Sequence, residues 1–122
     1  MASFEERRQT VRIGVNGNLH IESVPPGQAL RLVDVGVGGF RVQAVAAMPP
    51  DEETSYRFAT PDGKWFATFR ARTVYCKLMP PGATGDAQYS IGFMFVDGDS
   101  KSVQRQLMDL IDHATTFMSL SS

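Results

Sequence analysis

From Val11 to Val96 apolar residues return at every second position, and proline and glycine break the pattern at intervals. This period of two commits most of the chain to antiparallel strands. Val11, Ile13 and Val15 alternate with Arg12, Gly14 and Asn16; past a kink or bulge at Gly17-Asn18 the alternation resumes with Leu19 and Ile21 opposite His20 and Glu22. The stretch therefore reads as one long, bent strand. Pro25-Pro26-Gly27 interrupts pairing, because neither proline has an N–H for the ladder. A second strand runs from about Ala29 to Asp34, and a third carries Phe40, Val42 and Ala44 on one face with Arg41 and Gln43 on the other. Residues 54–60, a hairpin at Asp62-Gly63, residues 64–76 and residues 88–96 supply three more. Six segments predict a mainly β fold, a six-stranded antiparallel barrel over residues 11–97, since closure removes exposed edges. The period then changes. Ser100 is a candidate N-cap, and Val103, Leu107, Leu110, Ile111, Ala114 and Phe117 recur at helical spacing, which predicts an amphipathic helix over 100–118 packed on the barrel or on a partner.

A chain of 122 residues encloses one core and is too short for two lobes with a cleft between them, so a single domain over 1–122 is expected. With 12 basic and 13 acidic side chains there is no global field to draw it onto nucleic acid or an anionic membrane; any anion site must be local. The lone cysteine, Cys76, excludes an internal disulfide and fits a reducing compartment, as a small buried hydrophobe rather than a nucleophile. The N-terminus lacks the apolar core of a signal peptide and no window has the length of a membrane span, so a cytoplasmic protein without membrane insertion is expected.

Constellations for catalysis are missing from the sequence. His20 and His113 lie far apart and read as solvated surface histidines, no third ligand suggests a metal site, and Trp65, Phe66, Phe69, Phe93 and Phe95 read as core. Neither a GxSxG elbow nor a phosphate-binding GxxxxGK[ST] loop occurs. The expectation is a protein that is not an enzyme, with no cofactor and no metal. Two features remain. Asp34-Val35-Gly36-Val37-Gly38-Gly39 places three glycines within four positions between apolar runs, which makes either a tight hairpin or a seat where an anion approaches backbone N–H groups. Upstream, Arg7, Arg8 and Arg12 put three guanidiniums within six residues of an otherwise balanced chain.

The order and spacing of these features resemble the PilZ domain, a bacterial receptor for cyclic di-GMP. The likeness rests on Arg8-x-x-x-Arg12 before the first strand, an Asp-x-Ser-x-x-Gly element at Asp34–Gly39, an aromatic in Thr73-Val74-Tyr75, the run Ile91-Gly92-Phe93-Met94-Phe95-Val96-Asp97 and one terminal helix. The chain departs from the pattern at one place, with Gly36 where the motif has serine. The resemblance implies a PilZ-like barrel whose N-terminal arm, residues 1–10, is mobile and folds over the ligand. Arg8 and Arg12 would grip phosphate or guanine, with Arg7 as an additional contact. Asp34 would accept from a guanine edge, Gly36, Gly38 and Gly39 would form the turn beside it, and Tyr75 would complete the ligand-binding set. Guanidinium chemistry suits this ligand, since one fork pairs bidentately with phosphate or guanine O6/N7 and also stacks on a base. The partners implied are cyclic di-GMP and a protein of unknown identity, with no nucleic acid. Two other readings stay open: a PilZ-like protein-interaction module that has lost the nucleotide, suggested by Gly36, and a small barrel binding single-stranded nucleic acid, which Arg70 and Arg72 beside Phe66 and Phe69 would allow.

Overall fold

The computed structural model describes residues 13–15, 17–80 and 87–121, those after 115 by backbone alone. Among these residues seven strands follow in order: β1 (Ile13–Gly14), β2 (His20–Val24), β3 (Leu30–Val35), β4 (Gly39–Ala44), β5 (Glu53–Ala59), β6 (Phe66–Leu78) and β7 (Tyr89–Phe95), and then one helix, α1 (Lys101–Ser121). All neighbours pair antiparallel in a single sheet of order β1-β3-β4-β7-β6-β5-β2.

Seven strands replace the expected six because the bent first strand is divided. Gly17 takes φ 88°, a left-handed conformation that side chains with a Cβ rarely adopt, and the chain changes partner there. Before the bend β1 pairs with β3; after it β2 pairs with β5, at the far end of the sheet. The expected closed ladder is corrected with it, since β1 and β2 are the two edges. Six residues from Gly14 to His20 reach at most about 20 Å, so the sheet must curl until its edges face each other. The result is a half-barrel whose edges are consecutive pieces of one chain.

Phe40 lies at the centre of the concave face, with its ring 4.7 Å from Phe93, 5.0 Å from Phe58 and 5.6 Å from Tyr56. Val35, Val42, Ile91, Phe69 and Phe95 are buried around them. The amphipathic spacing of α1 turns Leu107, Leu110 and Ala114 into this core. Burying a large apolar side chain is worth about 1.5–3 kcal/mol, so these positions carry most of the fold's stability. Ser100 precedes the helix as an N-cap residue does, its carbonyl accepting from the Gln104 N–H at 2.8 Å. Asn18, in the bend between β1 and β2, donates from its side-chain amide to the carbonyls of His113 (3.1 Å) and Ala114 (2.7 Å). The expectation of two solvated histidines holds for exposed His20, whereas His113 is half-buried with its ring stacked on Trp65. No helix among the described residues is long and apolar enough to cross a membrane.

Candidate functional site

Two β-bulges build the site. Along β3, Leu32 pairs with Val42 and faces the core, and a regular strand would turn Asp34, two residues on, the same way. A register shift between Leu32 and Asp34 adds one residue, and Asp34 instead pairs with Arg41 on the convex face. The same device recurs on β6. Thr73 pairs with Phe93 and is fully buried; a shift between Thr73 and Tyr75 leaves Val74 half-exposed and brings Tyr75 opposite Gly92.

Arg41 also pairs with Gly92, so one lateral row crosses four strands: Asp34 on β3, Arg41 on β4, Gly92 on β7 and Tyr75 on β6. At about 4.8 Å per strand step it is about 14 Å long. Arg41 donates to Asp34 across 2.7 Å, and the carboxylate side chain is only 11% exposed while the guanidinium side chain is 44% exposed. At the other end the Tyr75 ring lies over Gly92, where a Cβ would collide with ring atoms Cε2, Cζ and Cδ2. The Lys77 ammonium stands 5.2 Å from the centre of that ring.

The flanking rows are basic. Arg31, Gln43, Ser90 and Lys77 align on one side, with Arg31 donating to the Gln43 amide oxygen at 3.3 Å. Gly39, Met94 and Arg72 align on the other, where Arg72 reaches the Met94 sulfur at 3.7 Å. Arg31, Arg41, Arg72 and Lys77 are all exposed. A chain of net charge −1 thus gathers four cations around the partly covered Asp34 carboxylate, with exposed Glu53 opposite Arg72 where that row reaches β5.

The Asp34–Gly39 segment is a hairpin whose loop is Val37-Gly38, closed by the Gly36 N–H donating to the Gly39 carbonyl at 2.8 Å. Among the described residues Gly17 and Gly63 are the glycines with positive φ, so the turn glycines Gly36, Gly38 and Gly39 are not there for left-handed backbone. Gly39 has a different cause: a Cβ on it would strike the Phe93 carbonyl oxygen on β7. The close approach it permits is by a neighbouring strand. Gly38 continues the same ladder, its carbonyl accepting from the Phe95 N–H at 3.1 Å.

Of the residues expected in the site, Asp34 and Tyr75 stand in the row and Gly36, Gly38 and Gly39 at its β3–β4 end. Arg7, Arg8 and Arg12, and the arm 1–10 with them, lie outside the described residues; Arg12 immediately precedes Ile13, whose partner on β3 is Val35. Sequence reasoning missed Arg41, Lys77 and Gly92. Gly92 did leave a signal, since glycine within a strand marks a close approach. Of the features that suggested a nucleic-acid barrel, Phe69 is buried in the core, whereas Phe66, Arg70 and Arg72 share the exposed face of β6, where Phe66 lies beneath the Arg57 guanidinium at 4.5 Å and Arg70 lies 3.4 Å from Glu53.

No family model matches the chain, and none of the curated proteins matches it in sequence. Among solved structures it is similar to the PilZ domain with cyclic di-GMP of YcgR from Escherichia coli, with a TM-score of 0.69 and 18% identity, covering 94% of this chain and 96% of that one. The protein has a PilZ-like domain fold.

Proposed function

We propose that this protein is a non-catalytic receptor domain for cyclic di-GMP, acting in the bacterial cytoplasm without cofactor or metal. The observation that carries the reading is the row itself. An aromatic ring seated over a glycine, a guanidinium and a carboxylate stand in line within a basic face, and they match the planar bases and two phosphates of that ligand. The likeness to the PilZ domain of YcgR, a structure that contains cyclic di-GMP, supports the same reading. A guanine would stack on Tyr75, Asp34 would accept from a guanine edge, and the turn at Gly36, Gly38 and Gly39 would lie against the ligand. Arg7, Arg8 and Arg12 would close over it from the segment that leads into β1. Ligand held between that segment and the sheet would create or hide a surface for a protein partner. Calorimetric titration with cyclic di-GMP is the test, and a folded protein that takes up no heat defeats the reading. In that event Gly36, in place of the motif serine, favours the second reading, an interaction module that keeps the fold without the nucleotide.

A further inference from the structure

Arg41 belongs to none of the motifs that suggested a ligand, yet it occupies the middle of the row. The bulge at β3 turns Asp34 outward, and the Asp34 carboxylate holds one terminal nitrogen of the Arg41 fork at 2.7 Å. A guanidinium has five N–H donors in a fixed plane, so anchoring one end orients the rest. On its other side Arg41 pairs with Gly92, which has the Tyr75 ring over it in place of a side chain. The fork therefore lies between an acid that anchors one of its nitrogens and the aromatic ring of Tyr75, with 44% of the side chain open to solvent.

The geometry points to Arg41 as a direct ligand contact: an oriented fork that grips a phosphate, or the O6/N7 edge of a purine stacked on Tyr75, with Asp34 as its positioning residue. This rests on the reading of the convex face as a cyclic di-GMP site and adds a contact to it. It also offers a donor to a site that lacks the hydroxyl of the motif serine. Asp34 then has two tasks, since it holds Arg41 as well as facing the ligand.

The experiment is calorimetric titration of cyclic di-GMP into the wild type, Arg41→Gln, Arg41→Lys, Asp34→Asn and the Asp34→Asn/Arg41→Gln double variant, with thermal melts of each. Arg41→Gln is expected to bind about tenfold more weakly or worse. Arg41→Lys keeps a cation beside the buried carboxylate, and so keeps the fold, but cannot fork; it should recover only a small part of the loss. Asp34→Asn should cost distinctly more affinity when Arg41 is present than in the Arg41→Gln background. Wild-type affinity in both folded Arg41 variants overturns the inference and leaves the receptor reading standing. Equal losses from Asp34→Asn in both backgrounds remove Asp34 from its positioning role. A folded wild type that does not bind overturns the receptor reading and this inference together.

Discussion

The Trp65 indole and the His113 imidazole lie stacked, with ring centres 4.3 Å apart and planes 18° apart, joining the start of β6 to the middle of α1. The His113 Nδ1–H donates to the Asp109 carbonyl at 2.8 Å, which fixes the ring on its own helix. An aromatic pair of this kind is worth about 0.5–1.5 kcal/mol beyond its burial. A double-mutant cycle of Trp65→Ala and His113→Ala, read by urea denaturation, should return a coupling of about 1 kcal/mol. Strictly additive losses would show that the helix docks through Leu107, Leu110 and Ala114 alone.

Gly92 and Tyr75 make a second testable pair. Gly92→Ala places a methyl group where the Tyr75 ring lies, so the ring must leave. The variant should lose both ligand affinity and stability, the latter by about 1–3 kcal/mol. Adding Tyr75→Ala should restore the stability and leave the affinity low. Failure of the double variant to regain stability would mean that the alanine disturbs the backbone of β7 rather than the ring.

Tyr56 is fully buried, and among the described residues its hydroxyl makes no hydrogen bond of good geometry, the Thr54 side chain offering only a weak contact. Its ring is nevertheless well placed, 5.0 Å from Phe93 and 5.6 Å from Phe40. Leaving a buried polar group unpaired costs about 1–3 kcal/mol. Tyr56→Phe should therefore match or exceed the wild type in thermal stability. A drop in Tm would reveal a partner for the hydroxyl, such as a buried water.

Replacing Arg8 or Arg12 by alanine should weaken cyclic di-GMP binding by roughly 1 to 3 kcal/mol, with the melting temperature unchanged. Arg105 on α1, away from the row, is the control. Variants that lose the fold instead of the ligand would assign these arginines a structural task.

Gly36 does not have positive φ, so a serine there meets no backbone penalty of the left-handed kind. A hydroxyl bonded to a charged group contributes about 1.5–3 kcal/mol. Gly36→Ser should tighten binding by about tenfold or more. If the wild type binds and the serine variant binds no better, the missing hydroxyl is not what limits affinity.

The strands were legible because each alternation ends at a proline, a glycine pair or a polar turn, and the helix because Val103, Leu107, Leu110, Ile111 and Ala114 change the period. The bulges were not. Val33 and Val74 are apolar residues inside apolar runs, so an extra residue at either leaves no trace in the pattern; only Val42–Arg41 and Phe93–Gly92 on the partner strands fix which way Asp34 and Tyr75 turn. The site was accordingly read as a glycine turn flanked by arginines, and its line across four strands went unseen. Arg41 and Lys77 look like any outward-facing residues until the register sets them beside Asp34 and Tyr75. The stack of His113 on Trp65 spans the whole last strand and turn, a separation at which periodicity says nothing.

The two hydrogen bonds from Asn18 are a key cut for one notch. They reach adjacent carbonyls, His113 and Ala114, from the bend that separates the strand beside Asp34 from the strand at the opposite edge. Rotating α1 about its axis by one step of about 100° would carry both carbonyls away from the amide. The amide thereby fixes the azimuth of α1 against the bend.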